Sequence, residues 1–252
     1  MRPEVYSSIK EATEKGIKQL AILVDPDKVN TSELLRIVEL ANLNRIDYLL
    51  VGGSLITGDF LAECIRIIKE NTTAPVLLFP GNSLQIQPEA DGILLLSLIS
   101  GRNPELLIGS HVVAAPVLRK SGLEIIPTGY MLIESGRLTS VVYMSNTTPI
   151  PSDKTDIATC TAMAGEMLGM KAIYMDAGSG AQRPVPGKTI EQVKQNISIP
   201  LIVGGGIRCE AAARVAWSAG ADIVVVGNAL EKDPAFIEKL CIERDISNKV
   251  KA

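Results

Sequence analysis

The sequence predicts an α/β fold: a TIM (β/α)8 barrel, modified by a hairpin insertion after its fifth strand and spanning 1–252 as one domain. Eight short apolar runs alternate with segments of helical spacing, with no linker between them. Strands so continuously apolar are buried on both faces, as parallel strands are. The last three runs each end in a glycine turn. Residues 170–175 lead through Asp176-Ala177 into Gly178-Ser179-Gly180, 201–203 into Gly204-Gly205-Gly206, and Ile223–Val226 into Gly227-Asn228. Closed barrels place phosphate at the loops after strands seven and eight. A doubly wound sheet carries its glycine fingerprint after the first strand, where this chain has Asp25-Pro26-Asp27-Lys28.

The elements follow from apolar spacing. Residues 5–18 read as a short amphipathic helix before the first strand, 20–24. Segment 31–44 carries Leu34, Leu35, Val38 and Ala41 at helical spacing and leads to the second strand, Tyr48–Val51, which runs into Gly52-Gly53-Ser54. Helix 59–70 puts Leu61, Ile65 and Ile68 on one face; the third strand, 76–79, ends in Pro80-Gly81-Asn82. A short, proline-broken stretch precedes the fourth strand, 92–96. Residues 104–120 read as a helix with a break at Pro116, and the fifth strand, 124–127, runs into Thr128-Gly129-Tyr130. Then the rhythm changes. Within 131–144, two β-prone runs flank Glu134-Ser135-Gly136-Arg137, the pattern of a hairpin, and 147–152 carries two prolines. Helices are expected at 154–168, 189–195, 208–219 and 233–245, each glycine turn opening one.

Composition narrows the function. A net charge of −3 and few aromatics argue against nucleic acid, which needs a basic surface and stacking platforms. Cys64, Cys160, Cys209 and Cys241 are scattered and form no Cys-x-x-Cys pair, so neither zinc nor a disulfide framework is indicated. A reduced, cytoplasmic setting is the expectation. Met1-Arg2-Pro3-Glu4 precedes a polar helical stretch and does not read as a signal peptide. The longest apolar run, 93–99, falls short of the roughly 20 residues that span a bilayer.

Catalytic residues of such barrels sit at the carboxyl ends of strands. That rule selects Asp25 after the first strand, Ser54 after the second, and Tyr174 and Asp176 at the sixth. Side chains alternate along a strand, so Tyr174 and Asp176 share a face and Met175 takes the other. Glycine turns let the backbone approach an anion closely, and the three together read as one phosphate cup. A carboxylate beside that cup suggests Mg2+, which takes one or two carboxylates together with substrate phosphates and water. No nucleophilic triad is available, His111 reads as a structural or surface histidine, and Asp27 as a capping acid or a second carboxylate. The residues leave other readings open: a phosphosugar isomerase, an FMN-binding barrel, or a non-catalytic phosphate binder. An isomerase would want a paired acid and base on the first and fifth strands, but the fifth ends in Thr128. Asp25 and Asp176 speak against the non-catalytic reading.

Asp25-Pro26-Asp27-Lys28, Val51-Gly52-Gly53-Ser54, Pro127-Thr128-Gly129-Tyr130, the stretch 174–180, Gly204-Gly205-Gly206-Ile207-Arg208 and Gly227-Asn228 occur in this order along nearly the whole chain. Together they resemble the geranylgeranylglyceryl phosphate synthase family, which includes bacterial heptaprenylglyceryl phosphate synthases; the Gly-Met-Lys before the sixth strand and Gly-Gly-Gly-Ile-Arg resemble its second group. The resemblance implies a modified TIM barrel that transfers a long prenyl chain, geranylgeranyl diphosphate being the expected donor, to the 3-hydroxyl of sn-glycerol 1-phosphate. It implies Mg2+ at Asp25 and Ser54, and catalysis by Asp176 and Tyr174. It also implies glycerol phosphate bound by Tyr174, Met175, Asp176, Ala177, Gly178, Ser179, Gly180, Gly205, Gly206, Gly227 and Asn228. A homo-oligomer, dimer or hexamer, is implied too, with peripheral membrane contact for product release. Many members carry Glu where this chain has Asp176. Leu94, Leu96, Ile126 and 129–133 are candidates for the groove that holds the prenyl tail.

Overall fold

Eight parallel strands close into a barrel in sequential order, β1 pairing with β8 from Gln19↔Ile223 to Ile22↔Val226. They are β1 (Gln19–Val24), β2 (Tyr48–Val51), β3 (Val76–Leu78), β4 (Gly92–Leu98), β5 (Glu124–Leu132), β6 (Ala172–Asp176), β7 (Leu201–Gly204) and β8 (Ile223–Val226). The structure, a computed structural model, describes residues 4–249. The Met1-Arg2-Pro3 start, expected to carry no signal sequence, lies outside the described residues.

The alternation along each strand makes two shells. Ala21, Leu50, Leu77, Leu94, Ile126, Ile202 and Val225 point inward and fill the barrel. Leu20, Ile22, Leu49, Val51, Ile173, Met175 and Val224 point outward and pack with the helices. These are α2 (Thr31–Leu43), α3 (Leu61–Asn71), α4 (Ser110–Ser121), α6 (Thr155–Met167), α7 (Gly187–Asn196), α8 (Glu210–Ser218) and α10 (Phe236–Lys249), with short α5 (Ser140–Ser145) and α9 (Asn228–Lys232) in loops. Strand burial on both faces is the reason an all-parallel arrangement forms.

The amino end of the barrel is closed by α1 (Val5–Glu14), whose Val5 and Ile9 join the inner core. Glu124, the first residue of β5, accepts from the amides of Val5 at 2.5 Å and Tyr6 at 3.0 Å. It thereby satisfies N–H groups that the first turn of a helix leaves without partners. The opposite, carboxyl end is left to the loops that follow the strands.

The barrel agrees with the sequence-based expectation; the hairpin after the fifth strand does not. Met131 and Leu132 complete β5, Ile133 makes an isolated parallel bridge to Ile150, and Val141–Met144 lies within α5. The turn at Glu134-Ser135-Gly136 forms, with Gly136 at φ +88°, but its flanking runs do not pair. Val141 and Val142 pack against the inner core instead, so tertiary contact overrides their β propensity. Pro116 does not break its helix either: α4 runs through it, and the irregularity is a π-turn, Glu105–Gly109, just before. Only the third glycine turn opens a helix directly, since α7 begins at Gly187 and α8 at Glu210.

Candidate active site at the carboxyl end of the barrel

Strand parity decides what reaches the mouth. Tyr174 points into the barrel, whereas Met175 and Ala177 belong to the outer core. Met175 and Ala177 can therefore meet a ligand only through their backbones. Tyr174 is 1% exposed and stacks on Phe79 at 5.0 Å, with Tyr130 at 5.5 Å from it and 5.9 Å from Phe79. These three rings form an apolar floor.

Asp176 is buried at the end of β6. Its Oδ2 accepts from the Tyr130 hydroxyl at 2.5 Å and its Oδ1 from the Gly178 amide at 2.7 Å. Burial pushes its pKa above the ordinary carboxylate range, against the pull of those two hydrogen bonds. Burial, and then the charge of Asp176, raise the Tyr130 and Tyr174 phenols as well, so both are donors and neither is a base. A carboxylate held by two donors in a dry setting, with elevated basicity, is suited to take a proton.

The glycine turns assemble around this carboxylate. Gly204 can have no side chain, because a Cβ there would lie 2.4 Å from the Tyr174 hydroxyl. Gly205, at φ +80°, would place a Cβ 2.5 Å from Asp176 Oδ1 and 2.6 Å from the Gly178 nitrogen. The β7 turn thus lies flat against the β6 turn. Ser179 Oγ donates to Asn228 Oδ1 at 3.0 Å and joins the β6 and β8 turns. Gly180 faces open space. The Gly178 amide is committed to Asp176, so an anion in this cup would be met by other amides of the turns.

A family model described as the PcrB family matches residues 13–244. The chain belongs to the PcrB family. Among PcrB-related proteins, the geranylgeranylglyceryl phosphate synthase of Chitinophaga pinensis is 52% identical over 240 residues, covering 95% of each chain. That of Spirosoma linguale is 50% identical over 236 residues, 93% of this chain and 95% of its own. The crystal structure of (S)-3-O-geranylgeranylglyceryl phosphate synthase from Thermoplasma acidophilum, in complex with sn-glycerol-1-phosphate, superimposes with a TM-score of 0.89. It is 33% identical and covers 95% of this chain and 97% of that one.

In this PcrB-family barrel the end of β1 forms a second focus. Asp25 holds the Lys28 ammonium at 2.9 Å on Oδ2 and accepts from the Asp27 amide at 3.2 Å on Oδ1. A Cβ on Gly53 would lie 3.4 Å from the Asp25 carboxylate, so the absence of a side chain there keeps the approach from the Ser54 loop clear. Asp27 fixes that loop, accepting from Thr57 N at 2.6 Å, Thr57 Oγ1 at 3.0 Å and Gly58 N at 3.1 Å. It is a loop clamp. These bonds, that from Thr57 N foremost, hold its pKa below the usual value.

Between the two foci the mouth opens into an apolar cavity of about 310 Å³ that runs from Ser54, Phe79 and Tyr130 to Ala114 and Leu118 of α4. Leu96 and Tyr130 line it, as expected from sequence, but Leu94 and Ile126 lie inside the barrel and Met131 and Ile133 in the outer core. His111 is part of the wall, with Nε2 3.0 Å from the Leu96 carbonyl. Arg208 donates to the Ala181 carbonyl at 2.5 Å and ties the β7 loop to the β6 turn. The sequence reading did not foresee Phe79 at the site, nor the hydrogen bond of Tyr130 to Asp176. The signal for Tyr130 was present in strand register: it pairs across the ladder with Tyr174.

Proposed function

We propose that this protein is a prenyltransferase that joins a long-chain prenyl diphosphate, geranylgeranyl diphosphate being the expected donor, to the 3-hydroxyl of sn-glycerol 1-phosphate through an ether, with Mg2+. One observation carries the reading. A buried, twice hydrogen-bonded carboxylate stands two residues before a glycine turn, at a mouth that continues into an apolar cavity. Few other reactions need a base, an anion site and a lipid-sized recess together. The names of the relatives and the ligand of the Thermoplasma acidophilum enzyme support the same assignment.

The glycine turns at 178–180, 205–206 and 227–228 would hold the acceptor phosphate, and Asp176 would orient the hydroxyl at the other end of the three-carbon chain. The hydroxyl oxygen bonds to the allylic carbon, the bond from that carbon to the diphosphate oxygen breaks, and the proton passes to Asp176. Tyr130 holds the carboxylate in place through the transfer, and Tyr174 forms the floor under the acceptor. The apolar cavity takes the prenyl tail and excludes water from the reacting carbon. Holding alcohol and allylic carbon together supplies much of the rate.

Asp25 after β1 and Ser54 after β2 fit Mg2+: both offer hard oxygen donors, and the Lys28 ammonium 2.9 Å from Asp25 Oδ2 supports a place for a cation at the mouth. When bound, Mg2+ would neutralise the departing diphosphate.

The deciding experiment incubates the protein with sn-glycerol 1-phosphate and radiolabelled geranylgeranyl diphosphate, with and without Mg2+. A labelled, phosphatase-sensitive glyceryl ether that requires all three is expected. Release of free prenyl alcohol without ether would reject the reading. Farnesyl and heptaprenyl donors run in parallel fix the chain length.

A further inference from the structure

Five side chains form a connected line across the mouth. Lys28 Nζ lies 2.9 Å from Asp25 Oδ2 and 3.6 Å from Glu231 Oε1. The other oxygen of Glu231, Oε2, accepts from Asn228 Nδ2 at 3.4 Å, and Asn228 Oδ1 accepts from Ser179 Oγ at 3.0 Å. The line runs from the end of β1, through α9, to the turn after β6. Its two ends are the proposed donor end and the proposed acceptor end of the site.

Glu231 is the middle member. Its side chain is 21% exposed. Burial raises its pKa, Lys28 opposes that rise, and the charge of Asp25 adds to it. Asp25 and Glu231 thus repel one another and share one cation. Burial alone would lower the Lys28 pKa, but the two carboxylates outweigh it and keep the ammonium charged. Without Lys28, Glu231 would be a half-buried charge with no counterion, and it would swing toward water. That swing withdraws the acceptor that Asn228 leans on.

We propose that Glu231 is a positioning residue that couples the two ends of the mouth, holding Asn228 against Ser179 while Lys28 neutralises it. This rests on the reading of the glycine turns as the acceptor phosphate site. Lys28 then acts on glycerol phosphate through Glu231 and not through its own contacts, which are with Asp25 and Glu231.

The test is a double-mutant cycle read by calorimetric binding of sn-glycerol 1-phosphate, without Mg2+ or prenyl donor, so that turnover plays no part. Lys28→Ala and Glu231→Ala should each weaken binding about three- to tenfold, and the double variant should be no weaker than either single one. A general loss of positive potential near an anion would instead persist in both backgrounds. Glu231→Gln guards against misfolding: it keeps the shape and an acceptor for Asn228, so it should bind near the wild-type level and make Lys28→Ala silent. Additive losses, or a Lys28→Ala variant that binds like wild type, would overturn the coupling while leaving the phosphate reading intact. A wild-type protein that binds no glycerol 1-phosphate would reject that reading and the coupling with it.

Discussion

The Tyr130 hydroxyl donates to Asp176 Oδ2 at 2.5 Å, so a phenol on β5 sets the position and basicity of the carboxylate that ends β6. That hydrogen bond lowers the Asp176 pKa against the larger effect of burial. Tyr130→Phe removes the opposing influence, so the Asp176 pKa should rise further and the acidic limb of the kcat profile should move to higher pH. At fixed neutral pH a loss of about tenfold is expected, the scale of one hydrogen bond to a charged group. Measuring kcat against pH checks this; a profile superimposable on wild type would leave Tyr130 only a floor residue.

Asp176→Asn should separate activity from stability. Removing a positioned base costs about 10²–10⁴-fold in kcat, while prenyl diphosphate binding should survive and Asp176→Glu should be tolerated. Stability should move the other way. The folded-state pKa lies above the unfolded one, so the favourable contribution of Asp176 is full below the unfolded value, about 3.9, and is lost as pH rises through the folded value. The neutral amide avoids that loss. Melting curves should show the variant more stable than wild type at neutral pH, with the gap closing toward pH 4.

From the sequence, a side chain at Gly205 would be expected to displace the anion. The structure instead directs its Cβ at Asp176 Oδ1, 2.5 Å away, from a backbone at φ +80°. Gly205→Ala should therefore lower kcat and melting temperature together, the strain alone being about 1–2 kcal/mol and each kcal/mol worth about 2–4 °C. Gly180→Ala separates the two effects. Its φ is +76° but its Cβ meets no protein atom within 4 Å, so it should lose a few degrees, with any fall in turnover appearing in the KM for sn-glycerol 1-phosphate and not in kcat.

Asp25→Asn should reduce turnover at least a hundredfold and weaken Mg2+ binding, while calorimetry shows sn-glycerol 1-phosphate affinity almost unchanged, since Glu231 keeps Lys28. Near wild-type turnover in saturating Mg2+ would remove Asp25 from the metal site.

The barrel was legible because burial on both faces leaves unbroken apolar runs such as Ile223–Val226. Asp176 was legible because it ends such a run. Val141 and Val142 misled because their neighbours in space, not in sequence, made them helical. Phe79, Glu231 and the contact of Tyr130 with Asp176 were invisible for a related reason: each gains its role from a partner on another strand or loop. Phe79 and Tyr174 are stacked across the barrel, and periodicity carries no record of such a meeting. Arg208 shows the same limit, since its partner Ala181 lies 27 positions away.

Glu124 and Tyr130 belong to one strand and, six positions apart, share a face; at about 3.3 Å per residue they are roughly 20 Å apart. One grips the first amides of α1 and the other grips Asp176. β5 is therefore a strut between the plug of the barrel and its reacting end. Trimming the chain through Val5 and Tyr6, far from any substrate, would free the lower anchor of that strut, and the aim of the carboxylate at the top would loosen with it.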